Sequence, residues 1–210
     1  MVRLQNYLLF IFLTSILGCN FNPQSGRWSN DWEEKYESFQ PSRTILDSIN
    51  IQEGMKVAEI GAGNGRFAVK VAQRVGLNGC VYANDIDMRA ILFMKNRIKR
   101  ERIKNVIVRK GSTDDPNLPE DYFDLVYVIN SYSHFKHPEL LLRNIRRSLL
   151  KNGRLIIIEY SPEKLKSGYG HTTSKKKIIS DASKAGYSLV SLKDFLVYDN
   201  IYVFEIAGYK

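Results

Sequence analysis

The chain has 210 residues, a formal net charge of +9 and two cysteines, with 44% hydrophobic and 25% charged residues. So few cysteines exclude a disulfide framework, and no Cys/His spacing suits zinc. The length suits one domain once a short N-terminal segment is set aside.

Met1-Val2-Arg3 carries one positive charge, Tyr7 to Leu17 is almost wholly apolar, and Ile16-Leu17-Gly18-Cys19 closes the run. A basic start, a short apolar core and a small residue before a cut describe a secretory signal over residues 1–18. The run is shorter than the ~20 residues that span a bilayer. Its closing Gly18-Cys19 resembles a bacterial lipobox, which implies a lipoprotein anchored in a membrane through acyl chains on Cys19. The alternative is a cytoplasmic protein. Residues 19–40 read as a connector and the start of a helix. Trp32, Tyr36, Phe39, Ile45, Leu46 and Ile49 extend that helix towards Asn50, where it covers the ligand side of the domain.

Val57-Ala58-Glu59-Ile60 reads as a strand ending in an acidic residue, followed by the loop Gly61-Ala62-Gly63-Asn64-Gly65. An amphipathic helix follows, with Phe67, Val69, Val71, Ala72 and Val75 on its apolar face. Strand, glycine loop and helix make the nucleotide-holding unit of α/β proteins. The dinucleotide fingerprint needs a glycine where Arg66 stands, and a phosphate P-loop needs a Gly-Lys-Ser/Thr that is absent. A nicotinamide-dependent oxidoreductase is therefore disfavoured.

Cys80 to Asp85 reads as a second strand, with Cys80 as a small core hydrophobe. Asp85 lies 20 positions after Gly65 (85 − 65), where a βαβ unit places the carboxylate that accepts from ribose hydroxyls. Asp87 is placed to cap a helix over Met88 to Lys104, basic on its exposed face. Asn105 to Arg109 reads as a third strand, and Gly111 to Pro119 as a loop rich in turn residues. Phe123 to Ile129 is a near-continuous apolar run, as in a parallel strand covered on both faces. It ends at Asn130-Ser131-Tyr132-Ser133-His134-Phe135, beyond the carboxyl end of the strand, where ligands of open α/β sheets lie. A helix over Pro138 to Leu150, a turn at Asn152-Gly153 and a strand over Arg154 to Tyr160 follow. Lys175 to Ala185 reads as a helix, and Ser188 to Phe195 with Ile201 to Ile206 as an antiparallel pair. The alternation predicts an α/β fold: a single doubly wound, mostly parallel sheet with helices on both faces and a C-terminal antiparallel pair.

Glu59-x-Gly61-x-Gly63-x-Gly65, followed in order by Asp85, the Thr113-Asp114 loop and the strand ending at Asn130, resembles the class I methyltransferases that use S-adenosylmethionine. The resemblance runs from Pro41 to the C-terminus and implies a methyltransferase domain over residues 41–210. It implies that Glu59, Gly61, Gly63 and Gly65 form the loop that approaches the methionine part of the cofactor. Asp85 would hold the ribose with Ile86 beside it, Thr113 and Asp114 would face the adenine, and Asn130 would border the cofactor at the reaction chamber. Asp124, near the start of its strand, would be structural. Asp114-Asp115-Pro116-Asn117-Leu118-Pro119 with Tyr132-Ser133-His134-Phe135 resembles a bacterial subgroup of these enzymes, in which a histidine often stands at the place of Ser133.

A sulfonium methyl is already activated, so the main task is to hold a nucleophile in line with it. A base is needed only where the nucleophile must lose a proton. His134 is the first candidate, Tyr132 the second and Glu159 the third, with His171 on a loop that could fold over the site. No segment specifies the methyl acceptor or the oligomeric state, and no metal site is expected. The alternative function is a non-catalytic cofactor-binding lipoprotein that keeps the fold. The positive charge is spread over several helices and Lys175-Lys176-Lys177 with no aromatic platform between. It reads as a solvated face, with nucleic acid disfavoured and an anionic membrane surface the more natural partner.

Overall fold

The structure, a computed structural model, describes residues 30–165 and 171–208. The expected signal segment, Cys19 and most of the connector lie outside the described residues, as does Gly168-Tyr169-Gly170 before His171. Seven strands form one sheet: β1 (Lys56–Ile60), β2 (Cys80–Asp85), β3 (Val106–Lys110), β4 (Phe123–Ile129), β5 (Leu149–Tyr160), β6 (Tyr187–Lys193) and β7 (Asp199–Ile206). Their order is β3-β2-β1-β4-β5-β7-β6. The first five are mutually parallel, and β7 runs antiparallel between β5 and β6. This is the doubly wound sheet with a C-terminal antiparallel pair that the alternation predicts.

Successive side chains of a strand point to opposite faces, and the central strands show why they must be apolar throughout. Leu125, Tyr127 and Ile129 of β4, with Ile156 and Ile158 of β5, enter one core. Val126 and Val128, with Leu155 and Ile157, enter the other. The first core is closed by α2 (Ser42–Ser48), α3 (Arg66–Val75) and α4 (Met88–Arg100), through Ile45, Leu46, Phe67, Val71, Val75 and Met94. The second is closed by α5 (Pro138–Ser148) and α6 (Lys175–Lys184), through Leu141, Leu142, Ile145, Ile178 and Ala182.

Strand order reverses between β1 and β4, since β1 leads to β2 on one side and β4 to β5 on the other. A crevice opens beyond the carboxyl ends of strands at such a point. Asp124 acts away from it, accepting from the Lys56 N–H at 2.8 Å to join the starts of β4 and β1.

The single helix expected up to Asn50 is instead two, α1 (Asn30–Phe39) and α2. Pro41 breaks it: the ring removes a backbone donor and pushes Gln40 away from helical torsions. Pro41 then serves as the extended N-cap residue of α2. The helix expected to reach Lys104 ends at Arg100, and Arg102 turns the chain with φ +54°. Likewise α5 stops at Ser148 and β5 starts at Leu149, earlier than Arg154. Asp87 caps α4, its carboxylate accepting from the Arg89 N–H at 2.9 Å. Among the described residues no helix is long and apolar enough to cross a membrane.

Candidate active site

The loop after β1 is built by backbone that only glycine adopts readily. Gly61, Gly63 and Gly65 have φ of +74°, +56° and +75°. The N–H groups of Gly61 and Ala62 both donate to the Asn84 carbonyl, at 2.9 and 2.8 Å, which pins the loop to the end of β2. A Cβ at Gly61 would stand 2.4 Å from Ser131 Oγ, so the loop passes the end of β4 only without a side chain there. The Gly63 N–H donates to Asp85 Oδ2 at 2.7 Å, and the Asp87 N–H donates to Asp85 Oδ1 at 2.9 Å. Asp85 is thereby held rigid, and each oxygen keeps a second lone pair for a ligand hydroxyl.

The cleft over this loop has two ends that share Gly61, Gly63, Asn130 and Ser131. The outer end is walled by Asp85, Ile86, Ser112, Thr113, His134 and Phe135. The inner end is walled by Trp32 and Tyr36 of α1, with Glu59, Asn64, Arg66 and Phe67. The structure thus brings Glu59, Gly61, Gly63, Asp85, Ile86, Thr113, Asn130 and His134 to one cleft. Gly65 sits just behind it as the left-handed N-cap residue of α3, and a Cβ there would meet Met94 at 3.0 Å.

Asp114 is drawn elsewhere. Its Oδ1 lies 2.7 Å from His137 Nδ1, and its carbonyl accepts from Asn144 at 2.8 Å, so its side chain joins the start of α5 rather than the cleft wall. The loop is held from the other side by Asn84, whose amide donates to the Pro116 carbonyl at 2.7 Å. Gly111 is needed for that crossing, because a Cβ would stand 2.7 Å from the Asn84 amide.

Tyr132 is also turned away. It is 2% exposed, and its hydroxyl donates to Asp181 Oδ2 of α6 at 2.9 Å. Burial, and then that carboxylate, push its phenol far up. Glu159 is 1% exposed and accepts from the Ser133 N–H at 3.2 Å and the Tyr160 N–H at 3.1 Å. It anchors the short turn Tyr132–His134 to the end of β5. Burial pushes its carboxyl up to about 7. His134 projects from that turn into the cleft wall, and its ring lies 4.6 Å from that of His171, which is exposed. Of the four candidate bases His134, Tyr132, Glu159 and His171, His134 is the one that walls the cleft.

The inner end holds opposite charges. Glu59 is 1% exposed, accepts from the Tyr127 hydroxyl at 2.8 Å, and is pushed up to about 8, by burial above all. Arg66 is 6% exposed; its Nη2 donates to Gln40 Oε1 at 2.7 Å, and its Nη1 is buried with no hydrogen-bond partner. Asn130 has φ +49°, and both its side-chain amide atoms are likewise buried and unpartnered where the two ends of the cleft meet. Arg66 and Asn84 carry no local signature of a site, whereas Ser131 is signalled by the segment after β4, and Trp32 and Tyr36 by the helix placed over the ligand side.

The arrangement suits an adenosyl amino acid. The outer end offers the Asp85 carboxylate beside Ile86, Ser112 and Thr113, and the inner end offers Glu59 and Arg66. Among the described residues no group could hold a metal ion.

Comparison with known proteins agrees. The chain is 32% identical over 130 residues to a ubiquinone/menaquinone biosynthesis C-methyltransferase of Paraburkholderia phymatum, covering 59% of this chain and 51% of that protein. The enzyme of the same description from Bordetella avium is 32% identical over 120 residues, covering 55% and 45%. The chain thus spans about half the length of the curated relatives it matches. In fold it is similar to a SAM-dependent methyltransferase from Aquifex aeolicus, with a TM-score of 0.76 at 20% identity over 82% of this chain and 93% of that one. It is also similar to the trans-methyltransferase CalH in complex with SAH, with a TM-score of 0.66 at 20% identity over 85% and 60%. The [4+2]-cyclase SpnF shares the fold too, with a TM-score of 0.68 at 12% identity over 90% and 86%. Residues 51–193, more than half of the chain, match the family model described as a methyltransferase domain, and the chain belongs to that family, with a fold like that of the SAM-dependent methyltransferase from Aquifex aeolicus.

Proposed function

We propose that the protein transfers the methyl group of S-adenosylmethionine to an electron-rich ring carbon of an aromatic acceptor such as a hydroquinone. The observation that carries the methyl-transfer reading is that two cavities adjoin over the glycine loop and share Gly61, Gly63, Asn130 and Ser131 as lining. One end is walled by Asp85, Ile86 and Thr113, the other by Glu59 and Arg66, and Asn130 and Ser131 are common to both. The acceptor class rests on the curated relatives, which are C-methyltransferases of quinone biosynthesis.

S-adenosylmethionine supplies a methyl group whose leaving group is a neutral thioether. Asp85 orients the ribose, and the glycine loop lets the backbone come close to the tail. Asn130 and Ser131, which line both ends, would hold the middle of the cofactor. An acceptor would enter beside His134, whose ring neighbours that of His171. As the new carbon–carbon bond forms and the carbon–sulfur bond breaks, the acceptor must give up one proton. His134 receives it, since Tyr132 is committed to Asp181 and Glu159 to two backbone amides. Positioning of this kind contributes most of the barrier lowering, up to about 7–11 kcal/mol, and the base a further 10²–10⁴-fold.

The test is product formation with S-adenosylmethionine and a panel of hydroquinones and naphthols, read by mass spectrometry. Methylated ring product is expected. His134→Ala should lower kcat by roughly 10²-fold or more, a larger effect than any on cofactor affinity. Cofactor binding without any ring methylation across the panel would overturn the acceptor class. We further propose that acylated Cys19 tethers the domain to a membrane, where its net positive charge meets anionic headgroups and a lipid-soluble acceptor is at hand.

A further inference from the structure

The loop between β6 and β7 turns apolar side chains outward. Phe195 and Val197 are 49% and 57% exposed and Tyr198 is exposed beside them, while Leu196 is buried in the core. The loop is held firmly. Lys164 Nζ donates to the carbonyls of Asp194, Leu196 and Asp199 at 2.5, 2.9 and 2.8 Å, which uses all three of its protons. The Tyr198 carbonyl accepts from the Ser161 N–H at 2.9 Å. Pairing of this kind is what backbone needs in order to leave water, since an unpartnered carbonyl is costly in lipid. Tyr198 packs edge-on against Phe39 of α1, with ring centroids 5.2 Å apart, so loop and helix present one surface. Because β7 is antiparallel to both β5 and β6, β6 points the same way as β5. Its loop therefore stands at the carboxyl end of the sheet, where the cleft opens. Only Ala185 and Gly186 join α6 to β6, and the helix packs back along the strand. Lys175 and Lys176, which open α6, thus stand at the same end; both are exposed and, among the described residues, form no ion pair. Asp194 is exposed at the foot of the loop, so apolar contact leads and charge assists.

We propose that the β6–β7 loop docks on a lipid bilayer, with Phe195 and Val197 entering the boundary of the acyl chains and Lys175 and Lys176 meeting anionic headgroups. The proposal rests on the membrane tether above and names the face that the tether presents. Eleven positions (30 − 19) separate Cys19 from Asn30, where α1 starts. At no more than about 3.6 Å each they reach at most about 40 Å. An anchored Cys19 therefore keeps α1, and the loop packed against it, close to the bilayer. Docked in this way, the carboxyl end of the sheet faces the membrane and the cleft opens towards it. Leu77, also exposed, follows α3 just before β2 begins, at the opposite end of the sheet, and points away.

The test places a reporter on the loop of the natively expressed full chain, reconstituted in vesicles of phosphatidylcholine and phosphatidylglycerol. Phe195→Trp is compared with Leu77→Trp, each read against the wild type with its Trp28 and Trp32. The fluorescence added by Phe195→Trp is expected to shift to the blue on the vesicles and to be quenched by lipids brominated along their acyl chains. The fluorescence added by Leu77→Trp should do neither. Val197→Asp, made at a side chain that is already exposed, should abolish the blue shift when combined with Phe195→Trp. Protein that stays with the vesicles while Phe195→Trp remains unquenched would overturn the docking and leave the tether standing. Absence of the wild type from the vesicles would overturn both. A blue shift that appears without vesicles and grows with protein concentration would show a second copy covering the loop, and would overturn the bilayer as its occupant.

Discussion

Gly61 and Gly63 share a left-handed backbone but not a neighbourhood. Alanine at Gly63 meets nothing within 4 Å, so Gly63→Ala should cost only the backbone strain of about 1–2 kcal/mol. Alanine at Gly61 collides with Ser131 Oγ, which bonds the carbonyls of Gly61 and Ile129 at 3.1 Å each. Gly61→Ala should therefore lose more stability than Gly63→Ala, and more of its S-adenosylhomocysteine affinity, when thermal melts and calorimetry are run on both. The buried acids make a second residue-scale prediction. Glu59, Glu159 and Asp199 are pushed up to about 8, 7 and 6, in each case first by burial. The folded ligand-free protein therefore holds protons that the unfolded chain releases near pH 4–4.5. Their contribution to stability is fully present below that range and is lost as pH rises through about 6 to 8. The melting temperature should fall from pH 5 to pH 8.5, and Glu59→Gln should flatten the upper part of that fall. An unchanged slope in Glu59→Gln would refute the assignment. Asp85 is legible at this scale because its spacing from Gly65 is set within one βαβ unit. Arg66 and Asp114 are not, because their partners Gln40 and His137 stand 26 and 23 positions away.

Among the elements, α1 decides whether the cleft has an inner end at all. It supplies Trp32 and Tyr36 to the wall. It is held by Glu33, which accepts from Arg97 of α4 at 2.5 and 3.1 Å and from Asn64 of the glycine loop at 2.7 Å. The Tyr160 hydroxyl at the end of β5 meets that of Tyr36 at 3.1 Å. Arg97 is only 10% exposed at its side chain, and Glu33→Gln leaves it with Glu101, at 2.9 Å, as its remaining carboxylate. It should cost about 1–3 kcal/mol and loosen α1, seen as faster amide exchange over residues 30–39 and weaker S-adenosylhomocysteine binding. Unaltered exchange there would show that α1 is held by its aromatic contacts alone. The existence of this helix was legible from Trp32, Tyr36 and Phe39. Its end was legible in principle from Pro41, but the apolar residues on both sides of the proline continue one helical period and mask the break. The strands were easier to read, because β4 and β5 are buried on both faces and so carry unbroken apolar runs.

At the scale of the whole molecule, the order of segments specifies the class I fold more firmly than it specifies the chemistry. The likeness to the cyclase SpnF makes the point: the same layout of strands serves a reaction other than methyl transfer. Acceptor chemistry therefore has to be read from the segment Asn130 to Phe135 and from His171, where side-chain direction is decided by tertiary contacts such as Tyr132 with Asp181. The proposed membrane tether belongs to this scale as well. Mass spectrometry of the natively expressed protein should find Cys19 at the N-terminus carrying acyl chains, and a chain retaining Met1 with an unmodified Cys19 would contradict the anchor. The central claim is that the two ends of the cleft form one cofactor site. Isothermal titration of S-adenosylhomocysteine into the purified protein tests it most directly. One saturable site per chain with micromolar affinity, abolished in Gly63→Arg and weakened in Asp85→Ala, is the predicted result; no binding by the folded wild-type protein would contradict it.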